Sequence, residues 1–310
     1  MLIRIVVPCY NEEAVLPDTA PRLLAVLDAV TAARPEMKGD ILFVDDGSSD
    51  ATWDIITALA RQNGRCHGLK LAHNAGHQNA LVAGLACSAS QADAIVTIDA
   101  DLQDDERVIP EMAARFLAGD DIVYGVRRER RTDTFFKRHS AQLFYRFMHA
   151  MGSDVLYNHA DFRLMSRRAA RALLRYPERN MFLRGMVWSI GLPHSTVSYD
   201  RHERKAGESK YPLRKMLSFA LDGITSFSVR PLRLIVVLGL VFIFISLLGI
   251  IYGLTSFARG HALPGWTSLI VSLWFIGGAI LTAMGIIGEY VGKIYKEVKR
   301  RPRFIVEQEI

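Results

Sequence analysis

Cysteine is scarce: Cys9, Cys66 and Cys87 are the three in 310 residues, with no C-x-x-C pair and no metal-binding spacing. That excludes a disulfide-stapled scaffold and a zinc module, and it fits small buried roles in a reducing compartment. Internal repeats and low-complexity tracts are absent. Before residue 230 there is no long apolar run. The opening MLIRIVVP carries too short an apolar stretch for a secretory signal, and a proline and two acids follow at once, so none is expected. The histidines form no catalytic set: His73 and His77 stand four apart without a third ligand, which predicts structural roles.

What is abundant is hydrophobic sequence, half of all residues, and it is unevenly placed. Leu234 to Leu254 and Leu269 to Ile287 are each near the ~20 residues that a membrane-crossing helix needs. The expected plan is a soluble domain at 1–211, a juxtamembrane amphipathic helix at 212–230, a two-helix anchor at 231–290 and a tail at 291–310. Arg214, Lys215, Arg230 and Arg233 precede the first run, and Lys293, Lys296, Lys299, Arg300, Arg301 and Arg303 follow the second. The loop between them has only Arg259, so the positive-inside rule puts both flanks and both termini in the cytoplasm. The net charge of +6 crowds toward these segments. It therefore points to anionic lipid headgroups and not to nucleic acid.

Residues 1 to about 125 alternate β-rich runs with helical patterns. Arg4–Val7, Ile41–Val44, Gly68–Leu71, Ile95–Ile98 and Ile122–Tyr124 read as strands, and Ala14–Ala33, Ala51–Gln62 and Asn79–Ala89 as helices. That rhythm predicts an α/β fold with a mostly parallel sheet, whose ligands bind beyond the carboxyl ends of the strands. YNEE (10–13), DDGS (45–48) and DAD (99–101) all fall at those ends. Further on, Phe136, Leu143, Phe144, Phe147, Met148 and Met151 share one helical face. So do Leu213, Met216, Leu217, Ala220, Leu221, Ile224 and Phe227. The first face fits core packing and a membrane interface equally; the second adjoins the anchor and reads as interfacial.

The acids after Ile98 carry the chemistry. Side chains alternate along a strand, so Asp99 and Asp101 are expected on one side, where two carboxylates repel unless a cation or a proton intervenes. Hard oxygen ligands of this kind suit Mg²⁺ or Mn²⁺, completed by substrate phosphates. Asp104, Asp105 and Glu106 read as caps of a helix running to about Leu117. At Asp45-Asp46-Gly47-Ser48 a carboxylate at the rim can accept hydrogen bonds from a ribose or a base.

VPCYNEE (7–13), VDDGSSD (44–50), HNAGHQNALVAGL (73–85), DADLQ (99–103), YGVR (124–127), DFRLMSR (161–167) and RKAGESKY (204–211) stand in this order before the two apolar runs. The chain resembles the family 2 glycosyltransferases of the GT-A fold over nearly its whole length. It is most similar to their polyprenyl-phosphate group, which includes dolichol-phosphate mannose synthases and bacterial undecaprenyl-phosphate sugar transferases. The resemblance implies that Pro8, Tyr10, Glu12, Val44 and Asp46 hold the base and ribose. It implies that Asp99 and Ala100 contact the nucleotide sugar, and that Asp101 and Gln103 bind the metal. Arg127 and Lys210, with Arg204 beside them, would neutralise phosphate, and Asp161 would act near the reacting sugar. Asp104-Asp105-Glu106-Arg107 stands where relatives often have prolines, and Ala206 where some have arginine.

A lipid phosphate has its second pKa near ~6, so it attacks already ionised and needs no strong general base. The expected reaction is a single inverting displacement, UDP-glucose or UDP-N-acetylglucosamine as donor and undecaprenyl phosphate as acceptor, at the inner membrane's cytoplasmic face. GDP-mannose is the alternative donor. A processive synthase is disfavoured, because Trp188 lacks a Gln-x-x-Arg-Trp setting and only two spans are present. A non-catalytic scaffold is the rival from another class. Glycines 239, 249, 277, 278 and 285 can bring membrane helices together within one chain or between copies, which leaves a homo-oligomer open.

Overall fold

The computed structural model describes residues 1–128, 159–179, 183–200, 230–259 and 265–310. They form two compact units: the described residues to 200 join 301–310 in the first, and the described residues from 230 to 300 make the second. The stretches expected to be amphipathic around 136–151 and 213–227, like Arg204 and Lys210, lie outside the described residues.

In the first unit β1 (Leu2–Cys9), β2 (Lys38–Asp45), β3 (Cys66–Leu71) and β4 (Ala94–Thr97) alternate with α1 (Leu16–Ala33), α2 (Thr52–Gln62) and α3 (His77–Ser88). After α4 (Ile109–Leu117) follow β5 (Ile122–Arg127), β6 (His159–Ser166), α5 (Arg167–Leu174), α6 (Leu183–Ser189) and β7 (His194–Tyr199). A last strand, β8 (Val306–Glu309), comes from beyond the two apolar runs. The eight strands form one sheet in the order β7-β5-β6-β4-β1-β2-β3-β8. Strands β4, β1, β2 and β3 run parallel, as do β5 and β7. Strand β6 is antiparallel to β4 and β5, and β8 is antiparallel to β3. This is the α/β, mostly parallel sheet that the strand–helix rhythm predicts.

The reason the strands are parallel and central is in their composition. ILFV in β2 and IVV in β1 offer no polar face, so both sides of the sheet must be covered. On one side Ile3, Ile5, Val7, Ile41 and Phe43 pack with residues of α1, including Leu23 and Leu27. On the other, Val6, Leu42, Val44 and Ile95 pack with α3, whose Ala80 to Leu85 are all buried. Gly84 permits this approach: a β-carbon there would lie 2.3 Å from Val6 Cγ1 and 2.9 Å from Val44 Cγ2. Gly84→Ala is expected to push α3 off the sheet, at a cost of about 2 kcal/mol. A melting temperature lowered by roughly 4–8 °C checks it; an unchanged one means the wall yields.

The position of β8 was not read from the sequence, where 291–310 is a tail. Backbone bonds of 2.9 Å join Gly68 and Ile310 in both directions, and Ala72 N–H donates to the Ile305 carbonyl at 2.9 Å. Lys70 pairs with Glu307 at 3.3 Å.

The second unit has two helices, α7 (Arg230–Ala258) and α8 (Trp266–Lys299). Pro231–Gly249 and Ser272–Lys299 are long and apolar enough to cross a membrane, with mean hydropathies of 2.7 and 1.5. Leu240, Phe244, Trp274 and Leu281 are among the large apolar side chains they expose. Such faces need apolar surroundings, and every backbone group of a helix is already satisfied there.

Candidate functional site

The carboxyl ends of β1, β2 and β4 meet at one rim, and antiparallel β6 brings its first residues to the same place. They enclose a cleft of about 440 Å³ lined by Pro8, Cys9, Tyr10, Glu12, Asp46, Asn74, Gly76, His77, Ala80, Asp99, Ala100, Asp101, Asp161 and Arg184. Eight of the residues singled out in the sequence are therefore together: Pro8, Tyr10, Glu12, Asp46, Asp99, Ala100, Asp101 and Asp161. Val44, Gln103 and Arg127 are not among the lining residues; Val44 is wholly buried beneath the floor.

Two loops are stitched together at the β1 and β2 ends. Asn11, in the left-handed region at φ 55°, donates its N–H to Ser48 Oγ at 3.0 Å and accepts from Ser49 N–H at 2.9 Å. Glu12 N–H reaches Thr52 Oγ1 at 2.8 Å, and Glu13 accepts from Ala51 N–H at 2.9 Å. This leaves the Tyr10 ring half in solvent at the mouth of the cleft. Asp46 accepts backbone N–H groups from Ala75 (2.7 Å) and Gly76 (2.9 Å). Burial pushes its carboxyl up, against those two donors. Gly76 has φ +94°, a conformation that suits glycine, and the turn delivers His77 as the first residue of α3.

His77, for which the sequence reading expects a structural role, lines the cleft. Its Nε2 lies 3.6 Å from Asp99 Oδ1 and 3.9 Å from Asp161 Oδ2. A basic side chain at a helix N-terminus opposes the macrodipole, and that mismatch was the signal available in the sequence.

The alternation argument for Asp99 and Asp101 does not hold, because β4 ends at Thr97. A turn follows, closed by Leu102 N–H to the Asp99 carbonyl at 3.3 Å. Leu102 sits at φ 44°, an unusual conformation for a residue with a branched side chain. Both carboxylates face the cleft because the chain curls there. The packed walls, with Asp161, Asp104 and Asp101 nearby, push Asp99 up to about 6 despite His77.

Asp161 is shifted in the opposite direction. Its carbonyl accepts from Thr97 Oγ1 at 2.5 Å. Its carboxylate takes Arg163 Nη2 at 2.7 Å and Arg184 Nη2 at 3.2 Å. Burial pushes the carboxyl up, but Arg184 and Arg163 together hold it well below the usual range. Asp161 is therefore ionised throughout the neutral range. Arg184 had no motif to announce it. It lies in α6, whose Trp188 is anchored by ring contacts with Tyr124 and His194 at 5.9 and 5.0 Å.

Asp105 does cap, accepting from Arg107 N–H, as expected. Its neighbours do more: Glu106 is buried and pairs with Arg22 of α1 at 2.6 Å, and Asp104 is buried against Arg127 at 2.9 Å. Among the described residues no three His, Cys, Asp or Glu side chains converge on a metal position. Two oxygen donors, Asp101 in the cleft and Gln103 two residues on, suit a hard divalent cation that takes its other ligands from a diphosphate and water.

The cleft thus lies beyond the carboxyl ends of a mostly parallel sheet, with two carboxylates past the end of β4, the placement expected of a glycosyltransferase site. Residues 4–174 match the model of Glycosyl transferase family 2, and the chain belongs to that family. It is 51% identical over 307 residues to the uncharacterized glycosyltransferase YkoT of Bacillus subtilis (strain 168), covering 99% of this chain and 91% of the relative. It is 38% identical over 316 residues to the SfII prophage-derived bactoprenol glucosyl transferase of Shigella flexneri, covering 99% and 98%. The glucosyl-3-phosphoglycerate synthase of Mycobacterium tuberculosis aligns over 73% of this chain and 78% of its own, at 17% identity and TM-score 0.43.

Proposed function

We propose that the protein transfers glucose from UDP-glucose to undecaprenyl phosphate, with inversion, at the cytoplasmic face of the membrane. N-acetylglucosamine is the second choice of sugar. The observation that carries this reading is Asp161, a carboxylate that Arg184 and Arg163 keep ionised, 3.9 Å from His77 and in one cleft with Asp99 and Asp101. A carboxylate that two arginines keep ionised is a poor proton acceptor, so it is ill suited to act as the base that a sugar hydroxyl acceptor needs. An acceptor that arrives without a proton to lose suits such a site, and a phosphate monoester does. The names of the 38% identical relatives favour the same acceptor and glucose.

In the reaction an acceptor phosphate oxygen forms a bond to the anomeric carbon as the bond from that carbon to the donor diphosphate breaks. The electron pair leaves with UDP. Tyr10 offers a face to the base, and Pro8, Glu12 and Asp46 shape the ribose side. Asp99 and Ala100 sit by the sugar. Asp101 and Gln103 would hold a divalent cation, Mg²⁺ or Mn²⁺, which would supply Lewis-acid stabilisation of the departing diphosphate. Lys210 and Arg204 are assigned to the acceptor phosphate.

Membrane attachment through α7 and α8, with both flanks cytoplasmic, completes the proposal. Supporting it are the basic residues on the two flanks and β8, which returns the chain to the same sheet it left. An even number of crossings agrees with this connectivity.

The test is purified full-length protein given undecaprenyl phosphate with UDP-glucose, UDP-N-acetylglucosamine or GDP-mannose. UDP release is expected only when lipid phosphate and Mn²⁺ are both present. EDTA should abolish it while leaving the melting temperature of the donor-free protein unmoved, because two protein oxygens alone hold a cation weakly. Binding of UDP without lipid-dependent release would mean a scaffold; GDP release would overturn the donor.

A further inference from the structure

Thr19 is an odd residue for the inward face of α1. Every other side chain that this helix buries, from Leu16 to Val30, is apolar. A β-branched residue with a hydroxyl is also a poor helix former. In a helix interior such a hydroxyl commonly turns back to the carbonyl four residues earlier. Thr31 of the same helix does so, onto Leu27 at 3.0 Å. Thr19 points elsewhere: its Oγ1 donates to the Ala100 carbonyl at 2.7 Å, 81 residues away in the chain. Both residues are 3% exposed, so the bond is made inside the core.

Ala100 stands between Asp99 and Asp101. Its carbonyl and the Asp101 N–H belong to one planar peptide unit, so fixing the carbonyl fixes the direction in which the chain enters Asp101. Within the turn the bond from Leu102 N–H to the Asp99 carbonyl is long, at 3.3 Å, and Leu102 itself lies at φ 44°. A conformation of that kind persists where its surroundings over-determine it. Helix α1 supplies such surroundings on both sides of Asp101 and Gln103. Thr19 holds Ala100, and Arg22, three residues on along the same helical face, pairs with buried Glu106 at 2.6 Å.

We propose that Thr19 is a positioning residue: through the Ala100 carbonyl it sets the turn that aims Asp101 and Gln103 at one cation. The inference rests on the metal role proposed for those two side chains. Two protein oxygens hold a cation weakly, so their aim must be fixed before it arrives. Without the hydroxyl, the buried carbonyl can satisfy itself only by rotating its peptide plane toward water, and Asp101 turns with it.

The test uses Thr19→Val, Thr19→Ser and Val30→Ala in the full-length protein. Valine keeps the shape and loses the donor, whereas serine keeps the donor. Val30 is buried about three turns further along α1 and controls for a helix that is merely weakened. Mn²⁺ binding in the presence of UDP is read by electron paramagnetic resonance, UDP affinity in EDTA by calorimetry, and stability by thermal melting. Thr19→Val is expected to weaken Mn²⁺ binding about tenfold, as lost support of metal ligands does, with UDP affinity in EDTA within twofold of wild type. Thr19→Ser should match wild type within twofold in both. Val30→Ala should melt lower and bind Mn²⁺ normally.

A bond that only steadies the helix would lower the melting temperature of Thr19→Val and leave its Mn²⁺ affinity alone. The proposal is overturned if Thr19→Val loses less than threefold in Mn²⁺ affinity, or if Thr19→Ser or Val30→Ala loses as much as Thr19→Val. Should Thr19→Val fail to fold, Thr19→Ala removes the hydroxyl without crowding the core and must show the same loss. A wild type that binds no Mn²⁺ with UDP overturns it too. None of these readings needs an acceptor. Mn²⁺ binding by a wild type that transfers no sugar to lipid phosphate would sink the transferase reading and leave this one decided by the Thr19 variants.

Discussion

Asp101→Ala should leave a folded protein that releases UDP roughly a hundredfold to a thousandfold more slowly than wild type. Loss of one strongly placed electrostatic stabiliser costs roughly 3–4 kcal/mol in the transition state, and each 1.4 kcal/mol is tenfold. Asp101 is the only carboxylate of the proposed metal pair, and it lines the cleft. Its removal takes charge from the one place where the diphosphate must be neutralised as it departs. The side chain also accepts the Gln103 backbone N–H at 3.2 Å, so Asp101→Asn, which retains an acceptor, separates charge from loop geometry. Both variants should fall together in rate. A rate for Asp101→Ala within tenfold of wild type would remove the foundation of the mechanism.

Asp161→Asn acts by a different route and leaves two signatures. Turnover should drop about a hundredfold or more while UDP affinity stays within twofold, if the carboxylate acts on the sugar, as proposed, and not on the nucleotide. The second signature is in stability. Burial works against ionisation of Asp161, yet Arg184 and Arg163 depress its carboxyl well below the usual range. A depressed carboxyl contributes stability above its unfolded-state value of about 3.9, and loses it as pH falls toward the folded-state value. The variant should thus be less stable than wild type by about 2 kcal/mol at pH 7, the amide oxygen keeping part of the Arg163 contact. That deficit should shrink on acidification below about pH 4. Urea melts at pH 7 and at pH 3.5 measure it. A deficit independent of pH would show that Asp161 is not the charge partner of the buried arginine.

How much of this was legible in advance depends on where polar atoms had to go. Strands β1, β2, β4 and β5 could be read because they are largely buried on both faces and rich in valine, isoleucine and leucine. The rim was readable too, since Asp46, Asp99 and Asp101 follow apolar runs that give them no other reason to be there. Strand β6 was harder. HADFRLMS breaks every apolar pattern, because Arg163 is buried within it and tolerated only through its partner two residues back. Strand β7, HSTVSY, lies at the sheet's margin, where alternation with polar residues suffices. In β8, VEQE exposes all four residues and owes its place to backbone pairing with β3, which no side-chain pattern reports. The same reason hid Arg184. Its significance lies in meeting Asp161 across 23 residues of chain, a contact fixed by tertiary packing alone. Asp104 and Glu106 read as caps because acids ahead of a helix usually are; only the fold supplies Arg127 and Arg22.

The placement of β8 gives the chain an order of assembly. Strand β3 is complete at Leu71, but its outer neighbour begins at Val306, after both apolar helices have been made. During synthesis the first half of the sheet therefore emerges with β3 as a bare flank, which β8 can cover only after both apolar helices have been made. Until then the strand beside Lys70 and Leu71 is the kind of open edge on which chains clump. Closing that flank is the last step in completing the sheet.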